Sequence, residues 1–447
     1  MSVLITLVGI LSLFIVGMPV TYTVFKIKTF GNSDNEISLR AVWALSPFAG
    51  YALITTVLKI FVKLDIPVKY TAYPFLIIFL LIFCTFCVFC GKKGRKIVPP
   101  LPFVGIIAAL TVVFGIAYFI VGAKYYQGFA WWDMFFYGSQ SEFLKNSQFS
   151  NLANLCETQP YLGATWHYYH GCHRISRGIF QAFTAAVCNT DGASTLGFIS
   201  VLGVILTFCA LLYATDSFKI GNFKRYAMCA SAAAIPLVVK TELQGFVPVC
   251  LFIGFTAVFC KLFLDCLHNA NIYKIIFAGT ISAAFVSTLL DGTYIFVGIM
   301  AISCLYVMIK DKKFLSPVLA AALIATITVL WNLPFMNEFL KELSAPVSRQ
   351  GLNFIFPFAY TQKTLNWTFY GSTLEHHGGA VAFCMRFASI IMLIAGVCGN
   401  IMYFIRKHSG EALNFIAIIV LPLLFMSYQG DYSYSFFNFT PWRGRLL

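Results

Sequence analysis

Asp133 follows an aromatic run, Tyr125-Tyr126-Gln127-Gly128-Phe129-Ala130-Trp131-Trp132. It opens the segment Met134-Phe135-Phe136-Tyr137-Gly138-Ser139-Gln140-Ser141-Glu142-Phe143-Leu144-Lys145. At helical spacing Phe136, Tyr137, Phe143 and Leu144 share one face, and Glu142 and Lys145 share the other. A carboxylate at the start of such a helix can cap it. Held equally still, it can act as a general base toward a hydroxyl within hydrogen-bond reach. Glu142, three residues before Lys145, reads as a paired residue on a solvated face. Further along, His167, His170, His173, Arg174 and Arg177 stand among Tyr161, Trp166, Tyr168 and Tyr169. Guanidinium forks match phosphate oxygens in a bidentate way, and they suit the anionic groups of lipid heads equally well. The three histidines lack an acidic partner that would complete a zinc set, so no metal site is assigned to them. Glu242 and Asp291 stand in turns between short apolar segments, where an acid is costly and is a functional hypothesis by default. Asp291-Gly292 is also a good turn sequence, and Glu242 has Lys240 nearby as a pairing partner.

The elements that must position these residues are set by lipid. Of 447 residues 59% are hydrophobic and 11% charged, and mean hydropathy is +0.81, a balance foreign to soluble globular chains. Runs approaching the ~20 apolar residues that cross a bilayer as helix recur along the chain. They predict an all-α, polytopic transmembrane bundle of about twelve spans. The expected spans lie near 1–25, 41–61, 71–90, 103–122, 196–214, 226–239, 246–264, 275–290, 293–309, one ending near 331, 379–405 and 412–426. The first lacks a basic start and a small-residue cleavage site, so it reads as a retained span. The stretch 179–187 is too short to cross and is expected at the interface, as is the helix opened by Asp133, with Trp131 and Trp132 at headgroup level.

The net charge of +14 is divided among short loops: Lys92, Lys93, Arg95 and Lys96; Lys219, Lys224 and Arg225; Lys310, Lys312 and Lys313; Arg406 and Lys407. That distribution marks the cytoplasmic ends of spans and argues against a nucleic-acid surface. It puts the two long polar segments, 123–177 and 332–378, on the extracytoplasmic side of a cell (plasma) membrane. Most of the 14 cysteines lie within spans, and Cys84, Cys87 and Cys90 read as small core residues. Cys156 and Cys172 lie in a polar outer segment and form a candidate disulfide, given an oxidising compartment.

Asp133 with Phe136-Tyr137 and Glu142-Phe143-Leu144, followed by the run His173-Arg174-Ile175-Ser176-Arg177-Gly178-Ile179-Phe180-Gln181-Ala182-Phe183, resembles two landmarks of the GT-C membrane glycosyltransferases. The match covers about 103–187. The resemblance implies inverting transfer of a sugar from a polyprenyl-phosphate-linked donor to an extracytoplasmic glycan, lipid or protein acceptor. Asp133 would be the general base; Arg174 and Arg177 would hold the donor phosphate, with His173, Tyr137 and Trp132 in the substrate site. Glu242 would support the acceptor or a divalent metal, and no cofactor is otherwise implied. The division that follows is a three-span segment with a basic loop, 1–102, and a GT-C-like core, 103–447, shortened at its C-terminus. Two features depart from the pattern: Met134 stands where many relatives carry a second acid, and three spans precede the catalytic loop instead of one. The rival readings are a transporter or flippase of a lipid-linked saccharide, and a GT-C-like membrane protein without catalysis. Against transport stands the near absence of charge within the spans.

Overall fold

The computed structural model describes residues 1–26, 37–94, 97–126, 132–154, 174–234, 247–268, 270–290, 293–344, 380–407 and 409–417. Its described regular elements are all helical. They are α1 (Ser2–Lys26), α2 (Leu39–Lys63), α3 (Val68–Lys92), α4 (Leu101–Val121), α5 (Trp132–Asn146), α6 (Ile175–Val187), α7 (Leu196–Ala214), α8 (Asn222–Ala233), α9 (Val247–His268), α10 (Ile272–Thr288), α11 (Thr293–Asp311), α12 (Leu315–Asn332), α13 (Met336–Ser344) and α14 (Ala380–Lys407). A last helical stretch covers 410–417. Among the described residues seven helices are long and apolar enough to cross a membrane, as expected of an integral membrane protein.

The post of the bundle is α7, buried at every position except Leu211 and flanked by α2, α4, α8 and α9. On the rim, α3 and α4 leave Ile77, Ile78, Leu81, Val112, Val113 and Ile120 exposed, more large apolar side chains than a soluble fold leaves on its surface. The α1–α2 crossing brings two backbones into direct contact. A Cβ on Gly17 would lie 1.9 Å from the Ser46 carbonyl oxygen, and one on Gly50 2.0 Å from that of Leu13. Backbones meet here because lipid gives helices little hydrophobic reason to associate, leaving close packing of small residues to do it.

Bonds between distant segments fall into two sets. At one end Asp65, in the left-handed region at φ 62°, accepts the Ser150 backbone N–H at 2.6 Å. There too Lys63 pairs with Glu338 at 2.5 Å, Tyr73 donates to the Val187 carbonyl and Tyr118 to that of Ser194. At the other end Arg40 pairs with Asp216, Trp43 donates to the Ile97 carbonyl, His268 pairs with Asp311 and Ser217 donates to Glu411. The second end carries the basic loops, the first the segments around α5, α6 and α13.

Two local expectations change. The stretch 179–187 belongs to α6, which is buried at every position from Ile175 to Ala186. It packs against α2, α3, α5 and α10, so it is a helix enclosed by its neighbours. Cys84 is exposed, Cys87 half-buried and only Cys90 buried, because α3 docks through a narrow stripe. Cys84 therefore belongs to the lipid-facing side and not to the core.

Candidate functional site

The site grows from α5. Phe136, Tyr137, Phe143 and Leu144 are all buried, as their spacing predicts. On the opposite side Lys145 pairs with Glu142 at 2.9 Å. Both also leave the helix: Lys145 donates to the Thr190 carbonyl at 2.8 Å, and the Glu142 carboxylate accepts the Gly192 N–H at 2.7 Å. Glu142 thus does more than face solvent. With Lys145 it pins the turn that leads into α7.

The inner side of α5 is locked to α6 by arginines. Arg177 is fully buried and donates to the Tyr137 carbonyl at 3.3 Å. It also bonds the side-chain oxygens of Gln181 and Gln140, and its guanidinium lies 4.0 Å from the Tyr137 ring centroid. Arg174, half-buried at the start of α6, bonds the Tyr137 hydroxyl and lies 5.7 Å from the same ring. Tyr137 therefore stands between two guanidinium groups, which a ring face and a phenolic oxygen both accommodate. Gln181 extends the network to Thr195 at 3.4 Å.

Asp133 and Trp132 lie in the first turn of α5, with Asp133 one turn before Tyr137. The backbone so brings the predicted base segment and the predicted phosphate-binding segment together, although Arg174 and Tyr137 are 37 positions apart. His173, Glu242 and Asp291 lie outside the described residues, as do His167, His170, Cys156 and Cys172. Among the described residues no group of three or more His, Cys, Asp or Glu is placed to hold a metal ion. Burial pushes the thiol of Cys188, at the end of α6, up to about 11, away from the reactive thiolate.

Beneath this joint runs a polar layer that the sequence reading missed. Lys59 of α2 is fully buried and donates to Asn332 Oδ1 at 2.6 Å and to Ser287 Oγ at 3.1 Å. Ser287 meets Ser176 of α6 at 2.6 Å. Asn332 donates in turn to the carbonyls of Ala283 and Thr328, and Tyr51 bonds Thr288 at 2.8 Å. Among the described residues the partners of the Lys59 ammonium are neutral oxygens, an arrangement a chain keeps at the cost of several kcal/mol of desolvation. One signal was legible: a lysine inside a predicted span is a functional hypothesis in itself. Its acceptors were not, because they come from α10 and α12, more than two hundred positions away.

Chemically, the joint offers one helix-start carboxylate segment, one half-buried guanidinium at a helix start, and a buried cation behind them, all at the end of the bundle away from the basic loops. Comparison with protein-family models, with curated proteins and with solved structures finds no match to the chain.

Proposed function

We propose that this chain is an inverting membrane glycosyltransferase that takes a sugar from a polyprenyl-phosphate-linked donor and passes it to an extracytoplasmic acceptor. The observation that carries the reading is the α5–α6 joint, where Tyr137 is bonded to both Arg174 and Arg177. The two segments that resemble GT-C landmarks, remote in sequence, are thereby one structural unit. In this reading the acceptor hydroxyl gives its proton to Asp133 as its oxygen attacks the anomeric carbon. The bond to the donor phosphate breaks with its electron pair going to the phosphate oxygen, and inversion follows from a single displacement. Arg174, at the more open end of α6, meets the leaving phosphate. Arg177 holds Tyr137, and so the spacing between Arg174 and the Asp133 turn. The unit's position near the end of the apolar helices suits a donor whose tail stays in lipid.

Transfer by the purified chain from a panel of polyprenyl-phosphate sugars tests the proposal. Asp133→Ala is expected to lose about 10²–10⁴-fold in rate while unfolding at an unchanged temperature. Full transfer by that variant would sink it.

A second reading, a flippase or transporter of a lipid-linked saccharide, draws on Lys59. A cation enclosed within a span and bonded to neutral groups is a common element of translocation paths. Movement of a labelled lipid-linked saccharide across reconstituted vesicles, abolished by Lys59→Met and indifferent to Asp133→Ala, would put this reading first.

A further inference from the structure

At the basic-loop end, α11, α14 and the stretch 410–417 enclose a groove of about 420 Å³ lined by Ile302, Leu305, Tyr306, Ile309, Phe404 and Leu413, with Lys310 at its rim. The walls are apolar, and Leu305 and Ile309 are largely exposed. The floor is fixed, because the 410–417 stretch presses directly on Tyr306: a Cβ on Gly410 would lie 2.6 Å from its ring. Lys310 is folded back over that ring, its Nζ 5.3 Å from the centroid. Lys312 and Lys313 follow α11 in the chain, and Arg406 and Lys407 lie in the last turn of α14, the helix that brings Phe404 to the groove.

The acids of the same rim are engaged elsewhere, Asp311 with His268 at 2.8 Å and Glu411 with Ser217 and Ser409. Two helix C-termini point here, and their dipoles alone would repel an anion. The two cationic runs reverse that sign. A groove with an apolar wall and Lys310 in its lining, formed by two helices that end in basic residues, matches one molecule class that reaches it from within the bilayer.

We propose that this groove is a binding site for a phospholipid with an anionic headgroup. One acyl chain lies along Leu305, Ile309 and Phe404, and the headgroup phosphate lies between Lys310 and the Arg406-Lys407 pair. The site is separate from the α5–α6 joint and stands whether or not the glycosyltransferase reading holds.

Native mass spectrometry of the full chain, released from micelles holding equal amounts of phosphatidylglycerol and phosphatidylcholine, tests it. Phosphatidylglycerol is expected to be retained preferentially. Each basic residue near an anionic headgroup contributes about fivefold, so Lys310→Gln/Lys312→Gln/Lys313→Gln is expected to lower that retention by more than about tenfold. Lys92→Gln/Lys93→Gln, which removes charge from the end of α3, a helix packed against α1, α2, α5 and α6, is expected to leave it within about twofold, since screened charge acts only over roughly 10 Å. Leu305→Trp, at an exposed position, fills the groove and is expected to displace the lipid without lowering the unfolding temperature. Equal retention of the two lipids, an equal loss in the Lys92/Lys93 control, or undiminished binding to Leu305→Trp would each overturn the proposal.

Discussion

Lys59 and Arg177 are both fully enclosed basic side chains, and the difference between their partners decides what each can do. Arg177 spreads its charge over a planar fork that meets two amide oxygens, a carbonyl and a ring face. That arrangement suits a brace, since a guanidinium keeps its charge and its geometry together. Lys59 is a compact ammonium whose described partners are one amide and one hydroxyl oxygen. Attraction to neutral dipoles recovers only part of the several kcal/mol lost on leaving water. Replacing the cation by an apolar side chain of like shape should therefore not harm the fold. Lys59→Met is expected to be neutral or to stabilise by about 1–4 kcal/mol, measured by thermal unfolding in detergent. Asn332→Leu, which leaves the ammonium short of an acceptor, is expected to cost about 1–3 kcal/mol. In the Lys59→Met background that cost should shrink. A Lys59→Met protein that fails to fold would show that the cation is structural and would remove the physical case for a functional role.

The helices themselves were the most legible part of the chain. The apolar run 196–214 coincides with α7, 41–61 and 71–90 fall within α2 and α3, and 103–122 runs one residue past the end of α4. A span announces itself by composition, because no other solvent tolerates such a run. Short elements fared less well. The length of α6 suggested an interfacial helix, whereas its burial comes from neighbours contributed by α2, α3, α5 and α10, which no local pattern encodes. The junctions between helices were equally hidden, and Asp216 is an instance. Its carboxylate accepts the Ser38 hydroxyl at 2.6 Å, the Ser38 N–H at 3.2 Å and Arg40 at 2.5 Å, tying the start of α2 to the loop after α7. Burial pushes this carboxyl up, but the Ser38 and Arg40 hydrogen bonds and the Arg40 charge outweigh it and hold it below its ordinary range. A carboxylate depressed in the folded state stabilises that state fully above its unfolded value, near 4, and the stabilisation is lost as pH falls through the folded value. Unfolding temperature is therefore expected to fall on acidification below about pH 4. Asp216→Asn should be less stable at pH 7 and should show a shallower fall. An identical pH profile in wild type and variant would refute the junction's role.

For the molecule as a whole, polarity was read from charge and two-sidedness was then found by geometry. The basic loops at 92–96, 219–225, 310–313 and 406–407 imply one end for themselves. Independently, the bonds between distant segments join basic-loop neighbours to one another, as Arg40 to Asp216 and His268 to Asp311. They join the α5, α6 and α13 neighbourhoods likewise, as Lys63 to Glu338 and Tyr118 to Ser194. The candidate site was legible only in part for the same reason: Asp133, Tyr137, Arg174 and Arg177 were singled out in the sequence, while Gln140 and Gln181 gain their part only once α5 and α6 meet. Geometry fixes that there are two ends; the charge argument alone says which is cytoplasmic. Inserted protease sites separate the two claims. In sealed vesicles of known polarity, a site at 312–313, between α11 and α12, is expected to be cut only from the cytoplasmic side. A site at 147–148, just after α5, should be cut only from the opposite side. Cleavage of both from one side would sink the two-ended architecture. Cleavage of each from the side opposite to that expected would keep the architecture and reverse its polarity. Asp133 would then face the cytoplasm, where an extracytoplasmic acceptor never is, so a fold experiment alone can overturn the proposed reaction.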